Sequence, residues 1–285
     1  MFYFIVAGDT EMVLRIASAA VCLPLLILII WFGSFWFSML VVVAAAVGSF
    51  EFCRLAIKWG HKPRAHFVTI WAVVFVAGAH FMSSSPVKSA SGAILILTLA
   101  IIIVGTVISL AWMLWLSRRG FSLTDWIITN IAALYTGGLL SYAVLIRGLD
   151  QGREWILLSL GVIFVSDTLA LIVGKIIGRH PIAPKISPQK TWEGSLGSFV
   201  GGVVAGVILT GLLDIPITVG IAAIFGIGLS IVGQLGDLAQ SRMKRAAGVK
   251  DSGRVVPGHG GLLDRLDSVV FNMPLVYYFV LWGIQ

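Results

Sequence analysis

Charge is what this sequence has least of. Asp, Glu, Lys and Arg make up 12% of its 285 residues, against 58% hydrophobic ones, and the mean hydropathy is +0.99. That balance excludes an ordinary soluble domain, in which about a quarter of residues are charged. It predicts an all-α, polytopic integral membrane protein. Cysteine is nearly absent too. Cys22 and Cys53 lie in or beside separate apolar runs, with no Cys-x-x-Cys and no histidine at ligand spacing, so neither a redox pair nor a zinc site is expected. A phosphate loop is missing, because the one Gly-Lys pair, Gly174-Lys175, is followed by Ile176. The His-Glu-x-x-His and Gly-x-Ser-x-Gly hydrolase motifs are missing as well.

What is present divides into nine expected spans. The apolar run from Ile16 to Phe50 is too long for one, since as a helix it would reach ~52 Å against a hydrocarbon core of ~30 Å. Gly33-Ser34 is read as a tight hairpin between two spans. The others are 67–82, 93–116, 126–146, 155–177, 196–213, 216–235 and 269–284, and the glycines of 196–213 suit close helix approach. Small residues precede the first apolar run instead of following it, so an uncleaved first span is expected. Of the 20 basic residues only Lys88, Arg147 and Arg153 fall on one side. The positive-inside rule then puts the N-terminus and the basic loops in the cytoplasm. Residues 1–150 form an N-terminal region of about five spans. Residues 151–285 form a catalytic region of about four, with charged loops at 178–198 and 236–267.

Topology alone accounts for Arg54, Lys58, Arg118 and Arg119. It does not require the mixture in the two charged loops. The first, GRHPIAPKISPQKTWEGSLGS from Gly178 to Ser198, has three prolines for an extended path, cations at Lys185 and Lys190, and hydroxyls at Ser187 and Thr191. Such a set suits phosphate oxygens. It also reads as a stiff connector, with Thr191 as N-cap and Glu193 in the first helical turn. In the second loop Asp264 and Asp267 are three apart and share a face if a helix starts there. With Asp237 they form a candidate Mg²⁺ site, an ion that takes a few hard oxygens and completes its shell with water and phosphate. The alternative is three interfacial carboxylates paired with Arg242, Lys244 and Arg265. Gly258-His259-Gly260-Gly261 offers backbone N–H groups to a phosphate, though His259 also reads as a loop histidine bonded to backbone. Asp167, mid-span, must face the bundle interior beside Lys175 or a loop cation, as a site residue or as a buried polar contact. Glu51 is expected at the membrane interface.

From Ser241 to Asp267 the chain reads SRMKRAAGVKDSGRVVPGHGGLLDRLD. This stretch resembles the signature of the phosphatidate cytidylyltransferases, or CDP-diacylglycerol synthases, in Ser241, Lys244, Arg245, Lys250, Asp251, Pro257, His259, Gly260, Gly261, Asp264, Arg265 and Asp267. KISPQKTWEG, from Lys185 to Gly194, is similar to a second segment of that family. Val256, Leu169 and Leu171 depart from its usual residues. The resemblance implies CTP and phosphatidic acid as substrates, CDP-diacylglycerol and pyrophosphate as products, and dependence on Mg²⁺, with a second, monovalent cation left open. Asp237, Asp264, Asp267, Lys250 and Asp251 are the expected catalytic set. Asp167, Lys185, Ser187, Lys190, Thr191, Lys244, Arg245, His259, Gly260, Gly261 and Arg265 are the expected substrate contacts. The expected place is the inner membrane of a bacterium, with the site facing the cytoplasm. Membrane lipids and a homodimer are further expected partners, and nucleic acid is not. Two other readings are another phospholipid phosphotransferase, whose longer Asp-Gly…Ala-Arg…Gly…Asp…Asp pattern is absent, and an ion-coupled transporter using Asp167.

Overall fold

A computed structural model of the chain describes residues 20–84, 91–116, 122–253, 255 and 260–283. Pro257, Gly258 and His259 lie outside these, as do Arg15, Lys88, Arg118, Arg119, Arg254 and Val256. The described residues form a helical bundle: α1 (Ala20–Phe32), α2 (Ser34–Lys58), α3 (Ala65–Ser84), α4 (Ser91–Leu116), α5 (Leu123–Arg147), α6 (Gly152–Ile177), α7 (Trp192–Leu212), α8 (Val219–Ala246) and α9 (Leu263–Gly283). Eight of them, α2 to α9, are long and apolar enough to cross a bilayer, and α1 is a shorter apolar helix. The chain is an all-α polytopic membrane protein.

Local chemistry explains where the helices stop and start. Gly33 alone separates α1 from α2, at φ 125, a backbone region that glycine reaches without steric cost. The break falls where the sequence placed one. Ser122 and Asp125 open α5 with a capping box. The same helix carries a π turn at Leu134–Gly138, where Gly137 lies against the backbone of Ala72 in α3. Thr191 caps α7 by accepting from Gly194 N at 3.1 Å, as the connector reading expected.

α7 has small residues on two faces and is held between two helices. Gly197 and Gly201 meet Val173 and Leu169 of α6, while Gly202 and Gly206 meet Gly226 and Ala222 of α8. Ser230 Oγ of α8 donates to Ser198 O at 3.1 Å across the second contact. Lipid tails are as apolar as leucine, so close backbone packing of this kind is what draws helices together in a membrane.

Several expected boundaries move, and α9 begins at Leu263 instead of 269. α8 continues from the end of its apolar run at Leu235 to Ala246. Polarity ends the run there but not the helix, because Gln, Leu, Ala, Met, Lys and Arg all favour helix, and the chain leaves only near Gly248, at φ 68. α7 begins at Trp192, so residues 192–198 are helix and not loop. The segment before it is a two-stranded antiparallel hairpin, β1 (Pro181–Ala183) with β2 (Ser187–Thr191), pairing Pro181 with Thr191 and Ala183 with Ser187. The prolines had predicted only an extended path.

Contacts identify the two ends of the bundle. At one end Lys62 N donates to Asp125 Oδ1 at 2.8 Å, and Arg245 Nε at the end of α8 donates to Ile186 O in the hairpin turn at 3.3 Å. At the other, Arg147 Nη2 donates to Ile30 O and Gln151 Nε2 to Asp214 O. Both segments that carry the signature residues therefore belong to the first end.

Candidate active site

Four elements bring charge to that end. Asp237, Gln240, Ser241 and Lys244 recur at helical spacing along one face of α8. Lys190 comes from β2, Asp167 from α6, and Asp264 and Asp267 from the start of α9. Gly236 lets α8 and α9 approach, since a Cβ there would fall 2.5 Å from Asp267 O and 2.7 Å from the Phe271 ring.

Lys190 Nζ lies 2.5 Å from Asp237 Oδ2, and Ser241 Oγ donates to Asp237 Oδ1 at 3.2 Å. Asp167 is within electrostatic reach of Asp237 and Lys190 and interacts with the Ser268 side chain. Asp267 is within reach of Asp237, Lys244 and Asp167. The cation near Asp167 is thus Lys190, the loop cation of the two partners expected. The residue faces the charged cluster while remaining accessible.

Asp264 is held differently. Its side chain is only 7% exposed, and Oδ1 accepts from Lys244 Nζ at 2.8 Å and Gln240 Nε2 at 3.4 Å. Oδ2 accepts from Ser252 N at 2.8 Å, Ser252 Oγ at 3.0 Å and Gly261 N at 3.0 Å. A carboxylate offers about four acceptor sites, so the protein already satisfies this one. Tyr135 OH extends the network by donating to Gln240 Oε1 at 3.1 Å. The Gly261 amide, expected to face a phosphate, is directed at Asp264. The glycines have a steric reason of their own: Gly260 sits at φ 88, and a Cβ on Gly261 would collide with Ser252 Oγ and Glu51.

Asp167, Lys190, Asp237, Lys244, Asp264 and Asp267 are therefore brought together, with Gly260 and Gly261 against Asp264, while His259 lies outside the described residues. Lys185 is exposed in the hairpin turn, Lys250 and Asp251 are exposed beyond α8, and Arg265 is exposed on α9. Ser187 is half-buried in β2, and the Thr191 hydroxyl is used as the α7 cap. Arg245 donates to Ile186 O and to Val249 O, lashing the hairpin turn to the end of α8. Ser195, expected in a loop, is buried in α7 and donates to Gln234 Oε1.

Glu51, Glu193, Gln240, Ser252 and Ser268 were not singled out as site residues. Glu51 is 2% exposed, because α2 runs on to Lys58 and the Glu51 carboxylate packs against the start of α9. An acidic residue in so apolar a stretch was the available signal. Glu193 accepts from Arg179 N, His180 N and His180 Nδ1 and so anchors the start of the hairpin.

The donor chemistry fits a divalent cation. Asp167, Asp237, Asp264 and Asp267 outnumber the two lysines set among them, Lys190 and Lys244. Among the described residues no three Asp, Glu, His or Cys side chains converge tightly enough to hold a metal by themselves. Mg²⁺ commonly takes one or two carboxylates and fills its shell from water and substrate phosphates.

Residues 13–282 match the model of the cytidylyltransferase family. The chain belongs to that family. Among similar proteins are the phosphatidate cytidylyltransferase of Bacillus subtilis, 40% identical over 164 residues, and that of Staphylococcus saprophyticus, 39% identical over 161 residues. The alignments cover 57% and 56% of this chain and 61% of each relative. The chain thus spans about three fifths of the length of the curated relatives it matches. In this cytidylyltransferase-family member, the charged cluster sits at one end of a membrane-spanning bundle.

Proposed function

We propose that the protein transfers the cytidylyl group of CTP to phosphatidic acid, giving CDP-diacylglycerol and pyrophosphate. The observation that carries the reading is the meeting of Asp167, Asp237 and Asp267 with Lys190 and Lys244 at the bundle end that bears the signature residues. Family membership and the names of the bacterial relatives support it.

Phosphatidate already carries an anionic phosphate, so the protein needs no strong base to generate the nucleophile. An oxygen of that phosphate attacks the α-phosphorus of CTP, the bond from that phosphorus to the bridging oxygen breaks, and pyrophosphate leaves with the electron pair. The task is to bring like charges together in line and to stabilise the leaving group. Lys190 and Lys244 would offset the phosphate charge, and Arg245 and Lys250 would guide the nucleotide from solvent. Asp237 and Asp267, with Asp167 beside them, would hold Mg²⁺, and Asp264 would keep Lys244 in place. When bound, the ion supplies charge neutralisation and a template for the phosphates. The basic loops argue for a site facing the cytoplasm, and the bacterial relatives for the inner membrane.

Purified protein in lipid micelles, given labelled CTP and phosphatidic acid, should release pyrophosphate and form a nucleotide-linked lipid. Label that stays in CTP while Mg²⁺ and phosphatidic acid are both present would sink the proposal.

A further inference from the structure

Glu51 is the one acidic residue of α2, and the cluster described above does not include it. Its carboxylate is buried, and its partners lie in distant sequence. Oε1 accepts from Leu262 N at 3.0 Å, and Oε2 accepts from Leu263 N at 2.8 Å and lies 3.2 Å from Ser252 Oγ, whose single proton it shares with Asp264. Leu263 opens α9, whose first amides have no partner within the helix. A carboxylate there meets both the unpaired N–H groups and the positive end of the helix dipole. Ser252 Oγ also lies 3.0 Å from Asp264 Oδ2, so one hydroxyl stands between Glu51 and the residue that fixes Lys244.

The surroundings are shaped around this carboxylate. A Cβ on Gly253 or Gly261 would run into Glu51, so both described ends of the α8–α9 connection carry glycine where the carboxylate passes. Two residues earlier in α2, Ser49 Oγ is bonded to Thr136 Oγ1 at 2.8 Å in the π turn of α5. That contact ties α2 to α5. Tyr135, in the same π turn, reaches Gln240 and through it Asp264.

We propose that Glu51 is a positioning residue, a carboxylate lent by α2 that caps the first turn of α9 and holds Ser252 and Leu262 together. Asp264 and Asp267 thereby keep their places beside Lys244 and Asp237. Glu51 acts through these residues and touches no reacting atom. The inference rests on the proposed cytidylyl transfer for its kinetic consequence but not for its structural one.

Two measurements on the full chain in lipid micelles test it. In Glu51→Gln the side-chain amide must turn a donor toward a backbone donor, so hydrogen exchange of the peptide covering 252–263 should quicken at least tenfold. The kcat for CTP should fall at least tenfold while its KM changes less than threefold, since the carboxylates lose alignment and the basic contacts remain. Gly253→Ala, which pushes on Glu51 from the loop side, should reproduce both effects and carries the test if Glu51→Gln does not fold. Ser49→Ala loosens α2 without touching the cap, and should lower thermal stability while leaving kcat per folded molecule unchanged. Wild-type exchange across 252–263 in Glu51→Gln would overturn the cap. Faster exchange with unchanged kcat, or an equal loss of kcat in Ser49→Ala, would overturn the positioning role. A wild-type protein that transfers no cytidylyl group would refute the proposed function while the exchange measurement still decides the cap.

Discussion

Four aspartates of one charge cluster stand in different surroundings, and their amides should fail differently. Asp264 accepts from Lys244, Gln240, Ser252 and Gly261, so Asp264→Asn turns an amide toward at least one donor and leaves Lys244 without its partner. Breaking a buried pair of this kind costs roughly 3–5 kcal/mol. We expect a large loss of thermal stability together with loss of turnover. Asp267 and Asp237 instead face each other and Asp167. Asp267→Asn and Asp237→Asn should lower turnover by about 10²–10³-fold and shift the Mg²⁺ titration to higher concentration. Asp267→Asn should leave melting without metal unchanged or raised, because like charges are removed, whereas Asp237→Asn also loses the Lys190 pair and should melt somewhat lower. A melting scan and a Mg²⁺ titration of the three variants separate these outcomes. A stable Asp264→Asn that melts like Asp267→Asn would show that its network is not structural. For the basic residues, Lys190→Ala should lower kcat/KM at least tenfold, or about 1.4 kcal/mol. Exposed Lys58→Ala, at the same end of the bundle, should change it little.

Helices position these side chains through glycine as much as through hydrophobic bulk. α7 touches α6 with one row of small residues and α8 with another, and α8 in turn approaches α9 at Gly236. Asp167, Lys190, Asp237 and Asp267 depend on that chain of contacts for their spacing. Gly202 is the tightest crossing of α7 and α8, with the Gly226 backbone and Ser230 Oγ where a side chain would go. Gly202→Val should force the two helices apart at a cost of roughly 1–3 kcal/mol. Turnover should fall although no charged residue is altered. Gly211 has no neighbouring atoms around its Cβ position, so Gly211→Ala should melt and turn over normally. Equal melting temperatures for the Gly202 and Gly211 variants would mean that the α7–α8 contact does not support the site.

Across the whole molecule, the ends of α7 lie at opposite ends of the bundle, and the basic residues sort with them. The hairpin turn carries exposed Lys185, and Asp214 follows α7 at the far end. In a Cys22→Ser background, with Cys53 already buried, cysteine at 185 should react only with reagent on the cytoplasmic side. Cysteine at 214 should react only from outside. Impermeant maleimide on intact cells and on inverted vesicles gives the two readings, and external labelling at 185 would reverse the orientation. Position 195 is unsuited to this measurement, because its side chain is buried against Gln234.

Membrane class, helix locations, the break at Gly33, the cap at Thr191 and the charged signature all follow from properties acting over a turn or two of chain. Hydropathy, capping chemistry and residue spacing report such properties directly, and the family match extends the same pattern across residues 13–282. The end of α8 was hidden because hydropathy marks where grease stops and not where a helix stops. Asp264 reads in sequence as a metal ligand or as a partner of a nearby cation such as Lys244; folding makes the Lys244 pair and adds four further donor contacts from Gln240, Ser252 and Gly261. Glu51 reads as an interfacial acid, yet its partners Leu262 and Leu263 are 211 and 212 residues away. A carboxylate bonds to whichever N–H groups packing brings within about 3 Å, and that choice belongs to the assembled bundle because no local pattern records which distant backbone will arrive.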